Sequence, residues 1–389
     1  MQEKFDFTAK TFFGLEEVLA DELKQLGAED ILIKNRAVLF RGNDELMYRA
    51  NYHLRTAISI LKPVCTYNAR NDDELYKFAQ YVNWDMYLRK GFTFAIESSV
   101  HSNFFKHSQY ASLKLKDAIV DQMMKKYGTR PDVDTEDPNI LINLHISNDL
   151  VTISLNSSGE PLYKRGYRVA ADIAPLNEVL AAGLVLLSGW NGKTPLIDPM
   201  CGSGTIPIEA ALIANKIPPG LYRKSFAFEK WKDYDPDLFE EIASEEPEDD
   251  DKKAIIVASD MSSRAISIAQ KNIQSASLGK YIRTTVSNFE DLENRFPHGG
   301  TIIMNPPYGE RMRPDTLRTI YSNMGTTFKR NFTGFSAWVM SSNIDGLKNI
   351  GLQYKKKIKL YNGPLECYFM KYELFSGPLK VKKLSDRTE

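Results

Sequence analysis

One stretch limits the fold more than any other. Asp198–Thr205 (DPMCGSGT) follows an apolar strand candidate, Pro195–Ile197, and opens an apolar helix candidate, Thr205–Asn215. Glycine at such a turn admits positive φ and lets the backbone approach a ligand. The helix behind it offers unpaired N–H groups to an anion. A strand, a glycine turn and a helix in that order belong to a doubly wound, mostly parallel α/β sheet. A dinucleotide fingerprint would place a third glycine where Pro207 stands, and no GxxxxGK[ST] occurs, so both common pyrophosphate loops are disfavoured.

The β/α alternation continues on both sides of this loop. A helix is expected over Asn177–Leu187, a strand over Ala254–Ala258 and a helix over Ser262–Gln274. Strands follow at Arg283–Val286, Thr301–Met304, Ala337–Met340, Leu352–Leu360 and Cys367–Phe375, with a helix over Pro314–Arg330. Seven strands ending in an antiparallel pair suit a parallel sheet that accepts a late hairpin strand. Two further signals stand at strand tips. Asp260 can accept both hydroxyls of a ribose, or simply cap the next helix. Asn305-Pro306-Pro307-Tyr308 turns rigidly out of its strand, because two prolines fix φ and remove donors. The Asn305 side-chain oxygen and the Pro306 carbonyl are then convergent acceptors for the two N–H groups of a planar ring amine. Held so, the amine can pyramidalise and localise its lone pair, while Tyr308 stacks on the ring.

The first half reads differently. A helix over Gly14–Leu26, short strands ILIK and AVLF, a helix over Glu45–Tyr52, strands over Ser59–Tyr67 and Phe92–Val100, a long helix over Gln109–Tyr127 and a hairpin over Ile140–Leu155 make an α+β module. The segment from Lys216 to Lys253 interrupts the α/β half, aromatic first and acidic later; the acidic part is expected to be solvated surface. Fifty basic and fifty acidic residues cancel overall, yet Glu240–Asp251 alone holds eight acids and no base, so the remainder is basic. That permits a nucleic-acid partner without requiring one. No apolar run approaches the ~20 residues of a membrane span, and the N-terminus has no apolar signal core, so a cytoplasmic protein is expected. Cys65, Cys201 and Cys367 are far apart and the five histidines lack ligand spacing, so neither disulfides nor a metal are expected. Cys201 has no base partner in the sequence and is not read as a nucleophile.

Loop, strand-tip acid and NPPY on successive strands resemble the class I S-adenosylmethionine-dependent methyltransferases, over residues 175–375. The flanks FGLEEVLADELKQLG, NFFKHSQYASLKLKDAIVDQM and LNSSGEPLYKRGYR, with FAFEKW inside the insertion, extend the resemblance across nearly the whole chain. They are similar to the THUMP-domain RNA methyltransferases, in particular the bacterial 23S ribosomal RNA guanine-N2 methyltransferases. The resemblance implies a ferredoxin-like domain (1–58), a THUMP RNA-binding domain (59–158) and a Rossmann-like methyltransferase domain (159–389) with the insertion at about 216–253. It implies S-adenosylmethionine as cofactor, bordered by Asp198, Pro199, Cys201, Gly202, Ser203, Gly204 and Thr205. Asp260 and Met261 would lie at its ribose, Asn288 and Phe289 at its adenine, and Asn177 and Glu178 at its methionine end. Many relatives have Asp where this chain has Asn288. Asn305, Pro306, Pro307 and Tyr308 would hold the target amine, and Asn305 would also border the cofactor.

RNA is the expected partner, with ribosomal RNA favoured over transfer RNA; a non-catalytic RNA-binding assembly factor is the rival of another class. Candidate RNA contacts are Lys106, His107, Lys114, Lys116, Lys125 and Lys126 on or before the long helix, Lys164, Arg165 and Arg168 in the connector, and Arg311 and Arg313 after NPPY. Lys355, Lys356, Lys357 and Lys359 read as an exposed strand. RNA would be met in a loop or bulge, where a base can be splayed out. Oligomeric state has no signature in the sequence.

Overall fold

Alternating β-formers in the first half assemble into one sheet. A computed structural model describes residues 3–171, 175–245, 255–308 and 314–375. Within it β1 (Phe5–Lys10), β2 (Glu29–Lys34), β3 (Ala37–Gly42), β4 (Ser59–Asn68), β5 (Phe94–His101), β6 (Ile140–Ser147) and β7 (Leu150–Asn156) lie in the order β2-β3-β1-β4-β7-β6-β5. β5 and β6 run parallel, and the other neighbours run antiparallel. Helices α1 (Glu16–Gln25), α2 (Asp44–His53), α3 (Asp72–Ala79) and α4 (Ser108–Tyr127) accompany these strands. The sequence reading did not include α3. It is eight residues long, and its clearest signal is a cap, the Asn71 side chain accepting the Glu74 N–H at 2.9 Å. β4 pairs with both β1 and β7, so the strand that opens the second expected module also closes the sheet of the first. One hydrophobic core runs beneath both, from Phe7 and Phe40 to Ile142 and Ile153.

The second half forms the expected parallel sheet. β8 (Leu196–Asp198), β9 (Ile256–Asp260), β10 (Ile282–Val286), β11 (Thr301–Met304), β12 (Ser336–Ser341), β13 (Tyr354–Asn362) and β14 (Leu365–Glu373) take the order β10-β9-β8-β11-β12-β14-β13. β14 enters antiparallel beside β12, and β13 closes the edge. α5 (Glu178–Leu187), α6 (Thr205–Ala214), α8 (Ser263–Ser275), α9 (Pro314–Asn331) and α10 (Ile344–Asn349) alternate with these strands, while α7 (Pro236–Ser244) lies in the insertion. Strand order reverses between β8 and β11, which are neighbours. Open α/β sheets bind ligands beyond the carboxyl ends of strands at such a switch point.

The insertion departs from expectation. Contacts divide the chain into two units, and residues 223–245 belong with the first half rather than with the sheet they interrupt. Phe226, Phe228, Trp231 and Ile242 are buried in the first unit's core. Phe228 stacks on Tyr48 with ring centroids 4.6 Å apart, and on Phe226 at 5.3 Å. Burying each such side chain is worth about 1.5–3 kcal/mol, more than a solvated loop can recover, so these aromatics make a core segment. Of the acidic part, Glu240 and Glu241 are exposed, as expected. Glu245 is exposed as well and also makes a two-point contact with Arg49, at 2.6 and 2.8 Å. Residues 246–254 lie outside the described residues.

Candidate active site

β8 ends on Asp198, whose carboxylate accepts the Met200 N–H at 3.3 Å and turns the chain at once. The carboxyl is almost fully buried, and that burial pushes its pKa well above the usual carboxylate range; the nearby charge of Asp260 acts in the same direction. The loop then closes on itself, with Gly204 N–H donating to the Cys201 carbonyl at 2.8 Å. Gly202 and Gly204 take φ of +52° and +82°, values that L side chains adopt rarely. At Gly204 the second reason for glycine is contact: a Cβ would meet the Ala269 Cβ at 3.1 Å. Burial also pushes the Cys201 thiol far up, with Asp198 and Asp260 adding to it, so this sulfur stays protonated near neutral pH.

Asp260, at the tip of β9, ties its neighbours together. One carboxylate oxygen accepts the Gly202 N–H at 3.0 Å and the other accepts the Ser262 N–H at 2.9 Å. Ser262 itself caps α8 by accepting the Ala265 N–H. The cap of α8 is therefore Ser262 and not Asp260, and the Asp260 carboxylate, fixed by one backbone bond per oxygen, keeps further lone pairs for a ligand.

Two adjoining cavities open at the tips of β8, β9 and β11. One, of about 300 Å³, is walled by Pro175, Leu176, most of the Asp198–Thr205 loop and Asp260. The other, of about 390 Å³, is walled by Pro199, Met261, Asn288, Phe289, Ile320 and Met324. Met200, Asp260 and Asn305 line both. Each volume is in the range of small-molecule sites, and the second has the more apolar wall. Asn305 stands directly past the end of β11. Its side-chain oxygen is buried and has no hydrogen-bond partner among the described residues. An acceptor left so costs about 1–3 kcal/mol, a cost a ligand's N–H would remove.

Some expected residues stand elsewhere. Asn177 and Glu178 do not line either cavity. Asn177 caps α5, accepting the Val179 and Leu180 N–H groups at 2.9 and 3.3 Å. Glu178 is buried and bound by Arg168 at 2.8 Å. The preceding Pro175 and Leu176 take the cavity wall instead. Gly204, Pro306 and Tyr308 also lie off the walls, whereas Pro307 is on one.

Arg165 and Arg168, read as RNA contacts, are corrected by their surroundings. Arg165 is 1% exposed and pairs with buried Glu209 at 3.5 Å. Arg168 spends its guanidinium inside the protein: besides Glu178 it donates to Ser203 Oγ at 3.0 Å, Thr205 Oγ1 at 3.1 Å and the Leu176 carbonyl at 3.0 Å. The same strap is gripped by Asn272 of α8. Its oxygen accepts the Val169 and Ala170 N–H groups, and its amide donates to the carbonyls of Ala170 and Ser203, all at 2.9–3.0 Å. The sequence reading missed Asn272, although a buried asparagine on an otherwise apolar helix face is a visible signal. Among the other candidates Lys106, His107 and Lys125 are exposed, Lys114 and Lys116 are half-buried, Lys126 pairs with Asp85 and Lys164 with Glu160. Arg311 and Arg313 lie outside the described residues. Among the described residues no group of three His, Cys, Asp or Glu could hold a metal ion, and no helix is long and apolar enough to cross a membrane.

Comparison with known proteins bears on this geometry. Residues 165–371 match the RMKL-like methyltransferase domain, residues 69–156 the THUMP domain and residues 6–61 the RlmL ferredoxin-like domain. A Synechocystis sp. protein named "Putative RNA methyltransferase slr0064" is 37% identical over 95% of this chain and 98% of its own length. The Syntrophotalea carbinolica protein named "Ribosomal RNA large subunit methyltransferase K/L" is 35% identical over 96% of this chain, which spans only 54% of it. The crystal structure of SMU.472, "a putative methyltransferase complexed with SAH", is 30% identical, covers 97% of this chain and all of its own, and has a TM-score of 0.86.

Proposed function

We propose that this chain, which belongs to the RMKL-like methyltransferase family and carries its RlmL ferredoxin-like and THUMP domains, methylates the exocyclic N2 amine of a guanine in large-subunit (23S) ribosomal RNA. The donor is S-adenosylmethionine, whose demethylated product SAH accompanies the SMU.472 relative. One observation carries the chemistry: a buried acceptor with no partner among the described residues, Asn305 Oδ1, on the wall shared by the two cavities.

The residues present fit the donor. The Gly202–Thr205 loop leaves room for a close backbone approach, Asp260 offers spare lone pairs to ribose hydroxyls, and Met261, Asn288 and Phe289 supply an apolar wall with one amide for an adenine. When bound, the sulfonium supplies an electrophilic methyl group. The protein's part is to hold and orient the amine. Asn305 Oδ1 and the Pro306 carbonyl take its two N–H groups, which draws the nitrogen towards a pyramidal geometry and localises on it the lone pair that the ring would otherwise delocalise. Positioning of this kind is worth several kcal/mol of barrier without any covalent intermediate. Ribosomal RNA as substrate is supported by the name of the Syntrophotalea relative. Exposed Lys106, His107 and Lys125 are the RNA contacts proposed on the first unit.

Purified ribosomal and transfer RNA pools, undermethylated by deletion of the gene, test this reading with labelled donor and mass spectrometry of the digested nucleosides. N2-methylguanosine from the large-subunit RNA is the expected product. Label confined to transfer RNA, or found on adenine, would overturn the substrate assignment.

A further inference from the structure

Tyr308 closes the Asn305–Tyr308 turn, and its hydroxyl oxygen is held by the β13–β14 hairpin. The Asn362 amide donates to Tyr308 Oη at 2.7 Å. Burial pushes its ionisation far up. The hairpin is a stiff support: Asn362 faces Leu365, Leu360 faces Cys367, and β14 is paired on both of its edges. The turn is braced from a second direction, where Tyr321 Oη reaches the Pro307 carbonyl at 3.4 Å and Ser341 Oγ at 2.7 Å. With its hydroxyl oxygen anchored to Asn362 at the far end, Tyr308 presents its ring to a ligand.

We infer that Asn362 is a positioning residue for methyl transfer: it locks the Tyr308 ring in place, so that the base carrying the amine meets a preformed stacking face beside Asn305. The inference rests on the amine-methylation reading above. A tyrosine free at its far end would sweep over its χ torsions, and each base would have to order it on arrival. A ring held in advance removes that cost, and small misplacements in such a site lower rates by about ten- to a hundredfold. The sequence hid this role, because Asn362-Gly363 at a hairpin reads as turn chemistry.

A double-mutant cycle tests it, with N362A, Y308F and the double variant. Single-turnover methylation of the RNA, SAH calorimetry and thermal unfolding are measured for each, together with the ¹³C signal of Tyr308 Cζ in tyrosine-labelled protein. Each single variant should slow methyl transfer about tenfold, and the double variant should be no slower than either, because all three break one link. SAH affinity should stay at the wild-type value, each variant should remain folded at the assay temperature, and N362A should shift the Cζ signal. Multiplying losses, an unslowed N362A, or an unmoved Cζ signal would each overturn the inference. A wild-type chain that binds SAH yet methylates no RNA would strike the amine-methylation reading instead, while the Cζ signal still decides whether the link exists.

Discussion

Arg168 shows how a single residue changes its meaning between sequence and structure. A basic residue in a polar connector reads as a surface contact. Folded, its guanidinium joins Glu178, Ser203, Thr205 and the Leu176 carbonyl, all on or just behind the smaller cavity's wall. Charge-assisted hydrogen bonds of this kind contribute about 1.5–3 kcal/mol each way they are broken. Arg168→Ala is therefore expected to weaken SAH binding by roughly ten- to a hundredfold. Lysine, a point charge without the planar fork, should recover only part of it. Calorimetry on the folded variants checks this, and an unchanged Kd would show that the strap is irrelevant to the cofactor site. Arg165 teaches the same lesson. Its partner Glu209 lies far along the chain on α6, and no local pattern announces that pairing.

At the scale of elements, the second unit was the more legible. Its strands alternate with amphipathic or apolar helices, and the glycine loop, Asp260 and Asn305 each sit where a strand ends, so local chemistry and position agree. The helix over Gln109–Tyr127, the hairpin over Ile140–Leu155 and the late antiparallel pair were legible for the same reason. What escaped was long-range. The burial of the aromatic run in the insertion was not read from the sequence, because its partners Tyr48 and Tyr52 lie some 180 positions earlier (roughly, from their numbering). Phe228→Ala is accordingly expected to cost about 3–5 kcal/mol, and the loss should fall on the first unit. Denaturant unfolding followed by hydrogen exchange on β4, β6 and β7 would check this. Exchange changes confined to β8–β12 would contradict the placement of the insertion.

For the whole molecule, the chain passes more than once between the two units, so neither unit is a simple continuous half of the sequence. Under the reading proposed above, RNA recognition falls to the ferredoxin-like and THUMP domains and chemistry to the methyltransferase domain. On the proposed function these tasks are separable: residues that grip RNA set affinity and salt dependence, while Asn305 sets the rate once both ligands are bound. The most direct measurement is single-turnover methyl transfer by Asn305→Ala, with SAH and RNA affinities taken on the same preparation. Loss of turnover by at least about a thousandfold, with both affinities within about twofold of wild type, is the predicted result. Turnover near the wild-type rate, or a loss matched by an equal loss of SAH binding, would contradict the assignment of that buried oxygen to the amine.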